Sequence, residues 1–599
     1  MARREALAPM LCAALLALYA VLAWTSVSTK SPTFDEPLHA LAGSIALEQR
    51  DFRIDFDNPP LWKYWAALPS AAAPAHIDTG DRHWRALPFD LLQQWPFAMQ
   101  TLYRDPHNDP DRLIGRARFM MLLWAVALGA LTARWAFELA GAAASLATTA
   151  LFALDPNFLA HGPLVKNDVA IALLLLALAY AVWRSGARIT WRGALAIGLL
   201  CGAGCAVKLS GIVLPVAACL VLLVRALRAG ARAQGDLRAR ARPLLAAVAA
   251  LAGAALMTVG VIWAVYGFRF GVSPDPAIAI DTRRIAAALA LAEGSPPHSA
   301  GAPSWPERAV VWSLDHRCLP EPWLAGLLFA HAGTRRRAYL LGDFVDAPWS
   351  GYLPRVFLFK TPAATLAAFA AALAMGVARW RSRRPTPSEN GAGAPRDRDS
   401  LACLAIPPLV YALFALGTPA ASGVRHLLPL YPFLFIGSSI AAARAWRASS
   451  GRLAVVGIAA LLAVESIWAY PDYLSFFPFV AGGERGGVRL LGDSNLDWGQ
   501  DLPRLAAWQR EHPEVPLALA YFGTADPAHY GIRYTNLPGG NALGPEPRPP
   551  SRPGVVAISA TILQGLRVPG GADPYAPFRV RQPIAVLGGS IYLYALPGD

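Results

Sequence analysis

Two adjacent carboxylates, Asp35 and Glu36, mark the part of this sequence best suited to chemistry. They stand in the run Ser31-Pro-Thr-Phe-Asp35-Glu36-Pro-Leu-His39, and apolar residues then recur at helical spacing from Pro37 to Arg50. The pattern predicts a helix that begins at the carboxylates. Asp35 can act there as a general base, because a carboxylate that removes the proton of an attacking hydroxyl accelerates the attack by roughly 10² to 10⁴. Glu36 would then orient the substrate or shift the pKa of Asp35.

A structural alternative exists for Asp35. An Asp just before a helix and its first proline is a common helix start, at which the side chain caps the free backbone N–H groups. The residue types alone leave both interpretations open, and the two roles can coexist.

Further candidates are polar residues near the ends of apolar runs. Cations there can stabilise the negative charge that a departing phosphate gains, although such side chains also extend to lipid head groups. Asp168 can cap the apolar helix predicted after it, or position an acceptor or a metal ion. The histidines show no spacing typical of a metal site, so the metal ligands stay unknown. The predicted substrate-binding residues are His39, Lys63, Asp168, Lys208, Lys360, Arg425 and His426, and Lys166 is a further cation on the same side.

The composition places these residues in a membrane protein. Of 599 residues, 55% are hydrophobic and 16% are charged, against about 25% charged in a typical soluble domain. The net charge of +14 could suggest nucleic acid. The Arg residues cluster in short segments between apolar runs, however, which is how membrane orientation is encoded. Nucleic acid is therefore not an expected partner.

The apolar runs predict a bundle of about eleven transmembrane helices, since a span needs about 20 apolar residues. The first run, 6–27, is longer than a signal-peptide core and is predicted to be retained. The predicted spans are 6–27, 117–138, 142–160, 168–184, 192–207, 210–227, 243–266, 356–378, 401–417, 427–444 and 452–469, with a possible break at Lys208-Leu-Ser-Gly.

Basic residues in alternate loops predict the orientation. With the N-terminus inside, the Arg-rich segments lie on the cytoplasmic side: Arg184–Arg192, Arg225–Arg242, Arg379–Arg398 and Arg444–Arg452. The outer side then holds the loops 28–115 and 268–355 and the tail. The predicted division is a membrane domain, 1–469, and a small α/β domain, 470–599. The tail shows strands at Val555–Ala560 and Ile591–Leu596 and a helix at Leu502–Glu511, which Asp501 is expected to cap.

Several motifs resemble glycosyltransferase family 39, which includes protein O-mannosyltransferases and the aminoarabinose transferases that modify lipid A. The first is Phe-Asp35-Glu36-Pro-x-His39 after the first span, followed by Asn58-Pro-Pro-Leu. Each motif alone is weak, and their order along almost the whole chain is the stronger signal. The other motifs are Leu154-Asp-Pro-Asn-Phe-Leu-Ala-His161-Gly-Pro-Leu-Val-Lys166-Asn-Asp168, Ala206-Val-Lys208-Leu-Ser, Phe359-Lys360-Thr-Pro362, Gly423-Val-Arg425-His426-Leu-Leu-Pro-Leu-Tyr431-Pro and Asp493-Ser-Asn-Leu-Asp-Trp498-Gly-Gln500-Asp501-Leu.

The resemblance implies a GT-C fold in a bacterial cytoplasmic membrane, with the active site on the outer face. It implies a polyprenyl-phosphate-linked sugar donor, mannose or a similar sugar, and a protein or lipid hydroxyl as acceptor. It also implies that Asp35 is the catalytic carboxylate and that Arg425 and Lys360 are the best phosphate ligands. No cofactor is certain, and a divalent metal is possible because some relatives bind one beside the carboxylates.

We expect a single displacement that inverts the anomeric carbon. The alternative class is a multi-span secondary transporter. Transporters usually show internal repeats and binding residues at mid-membrane, whereas the charges here gather at one face. An Asp35→Asn variant distinguishes the two classes, because only a transferase has sugar transfer to lose.

Overall fold

The computed structural model describes residues 2–186, 190–233, 237–281, 305–332, 338–345, 351–382, 394–418, 423–566 and 573–598. Parts of the predicted outer loop 268–355 and of the basic segment Arg379–Arg398 lie outside these residues.

Helices make up most of the described chain. Its first half contains α1 Ala2–Val27, α2 Glu36–Glu48, α3 Leu61–Ala67, α4 Arg82–Ala86, α5 Gln94–Tyr103, α6 Pro110–Ala140, α7 Ala142–Ala153, α8 Pro156–His161, α9 Asp168–Arg184, α10 Trp191–Val207, α11 Val213–Arg232 and α12 Leu237–Val265. Its second half contains α13 Trp305–Asp315, α14 Glu321–Ala332, α15 Tyr352–Lys360, α16 Ala363–Ser382, α17 Ala394–Gly417, α18 Tyr431–Ala445, α19 Ser449–Ala469, α20 Gly483–Leu490, α21 Leu502–Glu511 and α22 Ala560–Leu563.

Among the described residues, eight helices are long and apolar enough to cross a membrane. A helix of about 20 residues spans the hydrocarbon core. Two shorter apolar helices, α7 and α10, coincide with predicted spans, and so does α9. The helical multi-pass fold is therefore confirmed, while the number eleven stays a prediction.

Two predicted spans are interrupted where a proline follows the helix, and a third break separates two neighbouring spans. The predicted span 142–160 divides before Pro156, and the span 356–378 divides at Thr361-Pro362. A residue before proline is pushed out of the helical region, and Thr361 accordingly has an extended ψ of 131°. The break expected at Lys208 is also present, because α10 ends at Val207 and a 3-10 segment, Leu209–Ile212, follows. Such breaks free side chains and backbone groups at one end of the bundle.

The tail folds into a mixed five-stranded sheet, which confirms the small α/β region. Two short strands, β1 Ala338–Leu340 and β2 Asp343–Val345, pair with each other before the tail. The strands of the tail are β3 Leu517–Ala520, β4 Thr535–Asn536, β5 Gly554–Ser559, β6 Ala585–Leu587 and β7 Ile591–Leu596. The sheet order is β4-β3-β5-β7-β6. β3 runs parallel to β4 and β5, whereas β7 runs antiparallel to β5 and β6. The helix α21 has the predicted bounds.

The sheet region packs against the bundle through a shared apolar core. One apolar core includes Tyr19 and Trp135 of the bundle together with Val556 and Tyr594 of the sheet.

The expected capping role of Asp501 is wrong. Its carboxylate accepts hydrogen bonds from Lys30 at 2.5 Å and from Ser590 at 2.6 Å, and it makes no side-chain bond to the start of α21. Ionic pairing with the first loop therefore outweighs local capping. The predicted boundary at 469/470 stays a prediction.

Candidate active site

Asp35 lies at the first residue before α2, at the end of the bundle that carries the first loop. We call this the loop end. Although Asp35 occupies the capping position, its carboxylate accepts no hydrogen bond from the helix backbone. The carboxylate instead pairs with the ammonium of Lys166, and Nη1 of Arg425 lies 3.7 Å from its Oδ2. The side chain is 17% exposed, so a small substrate can reach it. The side chain of Asp35 therefore does not cap α2, and its role as a general base stays a prediction.

These cations keep Asp35 ionised. Burial alone would raise the pKa of Asp35, but the positive charges around it, that of Lys166 first, outweigh burial and hold the pKa below its usual range. Asp35 is therefore an anion at neutral pH and can accept a proton only weakly while Lys166 is paired to it. Any ligand that draws Lys166 away makes Asp35 more basic.

A second carboxylate–cation pair lies beside the first. Asp168, the first residue of α9, pairs with the ammonium of Lys208 at the break after α10. Arg425 joins the two pairs, because its Nη1 also lies 4.0 Å from Asp168 Oδ2. That buried oxygen accepts no hydrogen bond within the described residues. It is a ready acceptor for a substrate hydroxyl. The capping role considered for Asp168 is wrong, since Asn167 takes that position and the carboxylate turns to Lys208.

His39 connects the first pair to a buried support. Its Nε2 lies 3.0 Å from Lys166 Nζ, and its Nδ1 lies 2.8 Å from Asp55 Oδ2. An ammonium can only donate, so Nε2 accepts and Nδ1 carries the proton. Burial lowers the pKa of His39 and keeps the ring neutral. His39 is therefore placed to orient Lys166.

Asp55 anchors this support, and it is not among the residues that the sequence predicted for the site. Lys63 donates to its carboxylate at 3.0 Å and to its carbonyl at 2.8 Å, and Asn58 donates at 2.8 Å. Burial would raise the pKa of Asp55, but His39 and Lys63 lower it to about 2. The backbone φ of Asp55 is 56°, a left-handed value that Asp tolerates better than most residues. Lys63 thus fixes Asp55, which in turn holds the imidazole of His39.

Asp57, two residues on, differs in its titration. Its burial and the nearby charge of Asp55 raise its pKa to about 7. Its charge therefore changes near neutral pH, in a part of the loop that faces Lys63 and Lys166.

Glu36 has a structural environment. It is fully buried and accepts hydrogen bonds from Arg118 Nη2 at 2.6 Å, from the Thr33 N–H at 2.8 Å and from the Val165 N–H at 3.0 Å. Since its oxygens are occupied, the contacts favour a role in fixing the start of α2 over the predicted catalytic one.

Lys360 lies outside the cluster, which corrects its prediction as a phosphate ligand. It is 1% exposed and donates to the carbonyls of Leu474, Phe476 and Asn495 at 3.1, 2.5 and 2.8 Å. An ammonium has three N–H donors, and these carbonyls use all three. His426 follows Arg425 in the 3-10 segment Val424–Leu430 and lies at the edge of the cluster.

Trp498 was quoted only as part of a motif, yet it covers the site. Arg425 lies 4.5 Å from the centre of its ring and Lys166 lies 5.4 Å from it. The ring therefore holds both cations by cation–π contact. The segment of Trp498 also pairs with the residues before Asp35, since the Phe34 N–H donates to the Trp498 carbonyl at 2.8 Å and the Ser31 N–H to the Gln500 carbonyl at 2.9 Å. A pattern of charges along the sequence could not reveal this contact between residues more than 450 positions apart.

The ion pairs around Asp35 and Asp168 contain one more positive charge than negative charges. Lys166, Lys208 and Arg425 supply three positive charges, and Asp35 and Asp168 supply two negative ones. A site with one excess positive charge, beside a carboxylate that can accept a proton, can bind a singly charged anion and activate a hydroxyl next to it.

Comparisons with known proteins show which proteins this chain resembles. Residues 106–275 match a family model described as dolichyl-phosphate-mannose-protein mannosyltransferase, and this segment contains Lys166, Asp168 and Lys208. No curated protein matches the chain. Two solved structures of ArnT from Cupriavidus metallidurans are similar over 97% of this chain and 97% of theirs. The apo structure has 14% identity and a TM-score of 0.40, and the structure bound to undecaprenyl phosphate has 13% identity and a TM-score of 0.44.

The fold and the family match define a multi-pass membrane glycosyltransferase. The predicted resemblance to glycosyltransferase family 39 is confirmed by the matched segment, and so is the enzyme class. The match also favours a transferase over the transporter alternative.

Proposed function

We propose that this protein transfers a sugar from a polyprenyl-phosphate donor to an acceptor hydroxyl, with Asp35 as the general base. The observation that carries the proposal is the cluster of three cations and two carboxylates at the loop end. A sugar linked to a lipid through a phosphodiester carries one negative charge, which equals the excess positive charge of the cluster. The ArnT structure bound to undecaprenyl phosphate supports a polyprenyl phosphate as the carrier.

The pairings suggest an order of events. The donor phosphate binds Lys166 and Arg425, which draws positive charge away from Asp35 and raises its basicity. Asp35 then takes the proton of the acceptor hydroxyl while the oxygen attacks the anomeric carbon. The bond from that carbon to the phosphate oxygen breaks, and the phosphate gains negative charge that the two cations stabilise. No general acid is needed, because phosphate is already a good leaving group. Asp168 Oδ2 is placed to hold a substrate hydroxyl.

The finer assignments belong to the same proposal. We propose mannose or a similar sugar, a protein or lipid hydroxyl as acceptor, and a site on the outer face of a bacterial inner membrane. The basic residues in alternate loops support the orientation, because they favour the cytoplasmic side. Mass spectrometry of membrane lipids and exported proteins, with and without the gene, identifies the sugar and the acceptor.

The test is an Asp35→Asn variant in reconstituted membranes supplied with a labelled polyprenyl-phosphate sugar. We expect transfer to fall by roughly 10² to 10⁴, because the amide cannot take the hydroxyl proton. The matched control is Glu48→Gln, which removes an exposed carboxylate from the other end of the same helix and should leave transfer unchanged. Equal transfer by wild type and Asp35→Asn would disprove the role of Asp35.

The stereochemistry of the product tests the displacement separately. Single displacement gives a product whose anomeric configuration is opposite to that of the donor, which NMR of the product sugar measures. Retained configuration would contradict the mechanism while leaving the transferase activity itself established.

A further inference from the structure

Three side chains capable of binding metal converge on the surface of the first loop. They are His76, Asp105 and His107, and one ligand atom from each lies within 4.8 Å of the other two. His76 Nδ1 lies 2.6 Å from Asp105 Oδ2, and His107 Nδ1 lies 2.9 Å from Asp105 Oδ1. The two imidazole centres are 4.9 Å apart. None of these residues takes part in the candidate active site.

The Asn108 side chain holds the two segments of the cluster together without help from the rings. His76 belongs to the irregular segment 71–81, whereas Asp105 and His107 lie in the turn between α5 and α6. Asn108 connects the two segments: its Oδ1 accepts from the His76 N–H at 2.8 Å, and its Nδ2 donates to the His76 carbonyl at 2.9 Å. The convergence therefore rests on two hydrogen bonds between the Asn108 side chain and the His76 backbone as well as on the contacts of the three candidate ligands.

We propose that His76, Asp105 and His107 bind one divalent metal ion, with zinc as the best match. Two imidazole nitrogens and a carboxylate oxygen form a ligand set that zinc accepts in a tetrahedral arrangement, at about 2.0 to 2.2 Å from the metal. The ions that prefer only oxygen ligands, magnesium and calcium, match it poorly. The His76 and His107 rings are 55% and 71% exposed, which leaves room for water as the fourth ligand.

Binding requires each ring to free its Nδ1 for the metal. In the metal-free arrangement each Nδ1–H donates to Asp105. Metal binding through Nδ1 requires that nitrogen to be without its proton, while the exposed Nε2 can still carry one. The ion would replace two hydrogen bonds with coordination bonds and join the segment 71–81 to the turn before α6.

The site would stabilise the first loop rather than take part in sugar transfer. The turn that carries Asp105 and His107 leads directly into α6, and Arg118 of that helix holds Glu36 at the start of α2. The proposal does not depend on the transferase mechanism, because its ligands and its test are independent of Asp35.

The experiment measures zinc in the purified full chain, prepared with an affinity tag that contains no histidine. Chelator-treated protein is incubated with zinc, desalted and measured by mass spectrometry for metal content. Cobalt, added instead of zinc, reports tetrahedral nitrogen and oxygen ligands through its visible absorption. The variants are His76→Gln and His107→Gln. The matched control is His512→Gln, an exposed histidine stacked on Trp508 in the C-terminal region.

We expect one zinc ion per chain in wild type and in His512→Gln, and an affinity lower by at least about tenfold in His76→Gln and His107→Gln. Zinc should also raise the melting temperature of wild type and leave that of the two ligand variants unchanged. All proteins should melt at the same temperature in chelator, which shows that the variants are folded. Absence of zinc from wild type, or equal zinc in wild type and the ligand variants, would overturn the proposal.

Discussion

Arg425 and Lys360 show at the scale of single residues how contacts decide what a cation can do. Both were predicted as phosphate ligands from similar motifs. Arg425 faces Asp35 at 3.7 Å and Asp168 at 4.0 Å, so its partners are other charges that a phosphate can replace. Lys360 is held by three backbone carbonyls, which no substrate can replace without exposing them. Two cations from motifs of the same family therefore differ in their partners, which are charged side chains for Arg425 and backbone carbonyls for Lys360.

This difference gives a paired prediction. Arg425→Gln should raise the KM for the lipid-linked donor and lower kcat, because it removes charge that stabilises the leaving phosphate, and it should change the melting temperature little. Lys360→Met should lower stability by roughly 1–3 kcal/mol, since buried carbonyls lose their donors, and should leave the KM of the folded protein unchanged. Initial rates and melting curves of both variants test this. A raised KM in Lys360→Met with normal stability would reverse the assignment.

Asp57 predicts how donor binding depends on pH. Its pKa is raised to about 7, so the side chain is mostly neutral at pH 6 and mostly anionic at pH 8. The donor phosphodiester keeps one negative charge over this range. Its KM should therefore increase severalfold from pH 6 to pH 8, because ionised Asp57 repels it. The KM of Asp57→Asn should stay constant over the same range, and an unchanged pH dependence in that variant would contradict this role.

At the scale of elements, the site is built by helix starts and breaks that the C-terminal region covers. Asp35 and Asp168 lie at the starts of α2 and α9, and Lys208 lies at the break after α10. Trp498 reaches this group from a segment after the last span. The C-terminal region thus contributes directly to the geometry of the cations.

Trp498→Leu tests that contribution. Each cation–π contact contributes about 0.5–2 kcal/mol, so loss of the ring should lower kcat/KM by roughly 2- to 30-fold. Trp498→Phe should restore part of the activity, because a smaller aromatic ring keeps some of the attraction. Trp508→Leu, a half-buried tryptophan of α21 that packs away from the two cations, serves as the control and should keep the kcat/KM of wild type. The idea fails if Trp498→Leu keeps full activity with both cations in place.

The sequence predicted the helices and strands better than it predicted which residues contact one another. Long apolar runs and the strands Gly554–Ser559 and Ile591–Leu596 follow local periodicity, so they were placed within a few residues. The division at Thr361-Pro362 was missed because a hydropathy window averages over a single proline. Asp35, Arg425 and Lys208 were found through their motifs. The roles of Lys360 and Trp498 were not, because each depends on contacts with residues far away in the chain.

At the scale of the whole molecule, an ionic network joins the first loop to the C-terminal region. Lys30 follows the first span and pairs with Asp472, just after the last span, and with Asp501 in the C-terminal region. Arg504 adds a bond to Asp472 at 2.7 Å. Asp501 is completely buried and Lys30 is 9% exposed, so solvent screens their attraction little. These two carboxylates raise the pKa of Lys30, although its burial opposes them.

Lys30→Met should therefore loosen the C-terminal region from the bundle. Removing one partner of a buried ion pair typically costs about 3–5 kcal/mol, because the other charge stays buried without compensation. We expect a lower melting temperature and faster proteolysis between the last span and the sheet. Transfer should fall as well, since the segment that carries Trp498 also carries Asp501. Arg510→Met, which removes an exposed cation from the same helix as Arg504, should change neither. If Lys30→Met is as resistant to protease as that control, the network does not hold the C-terminal region in place, and the position of Trp498 over the cations must be maintained by the apolar core and by the backbone hydrogen bonds of Ser31 and Phe34.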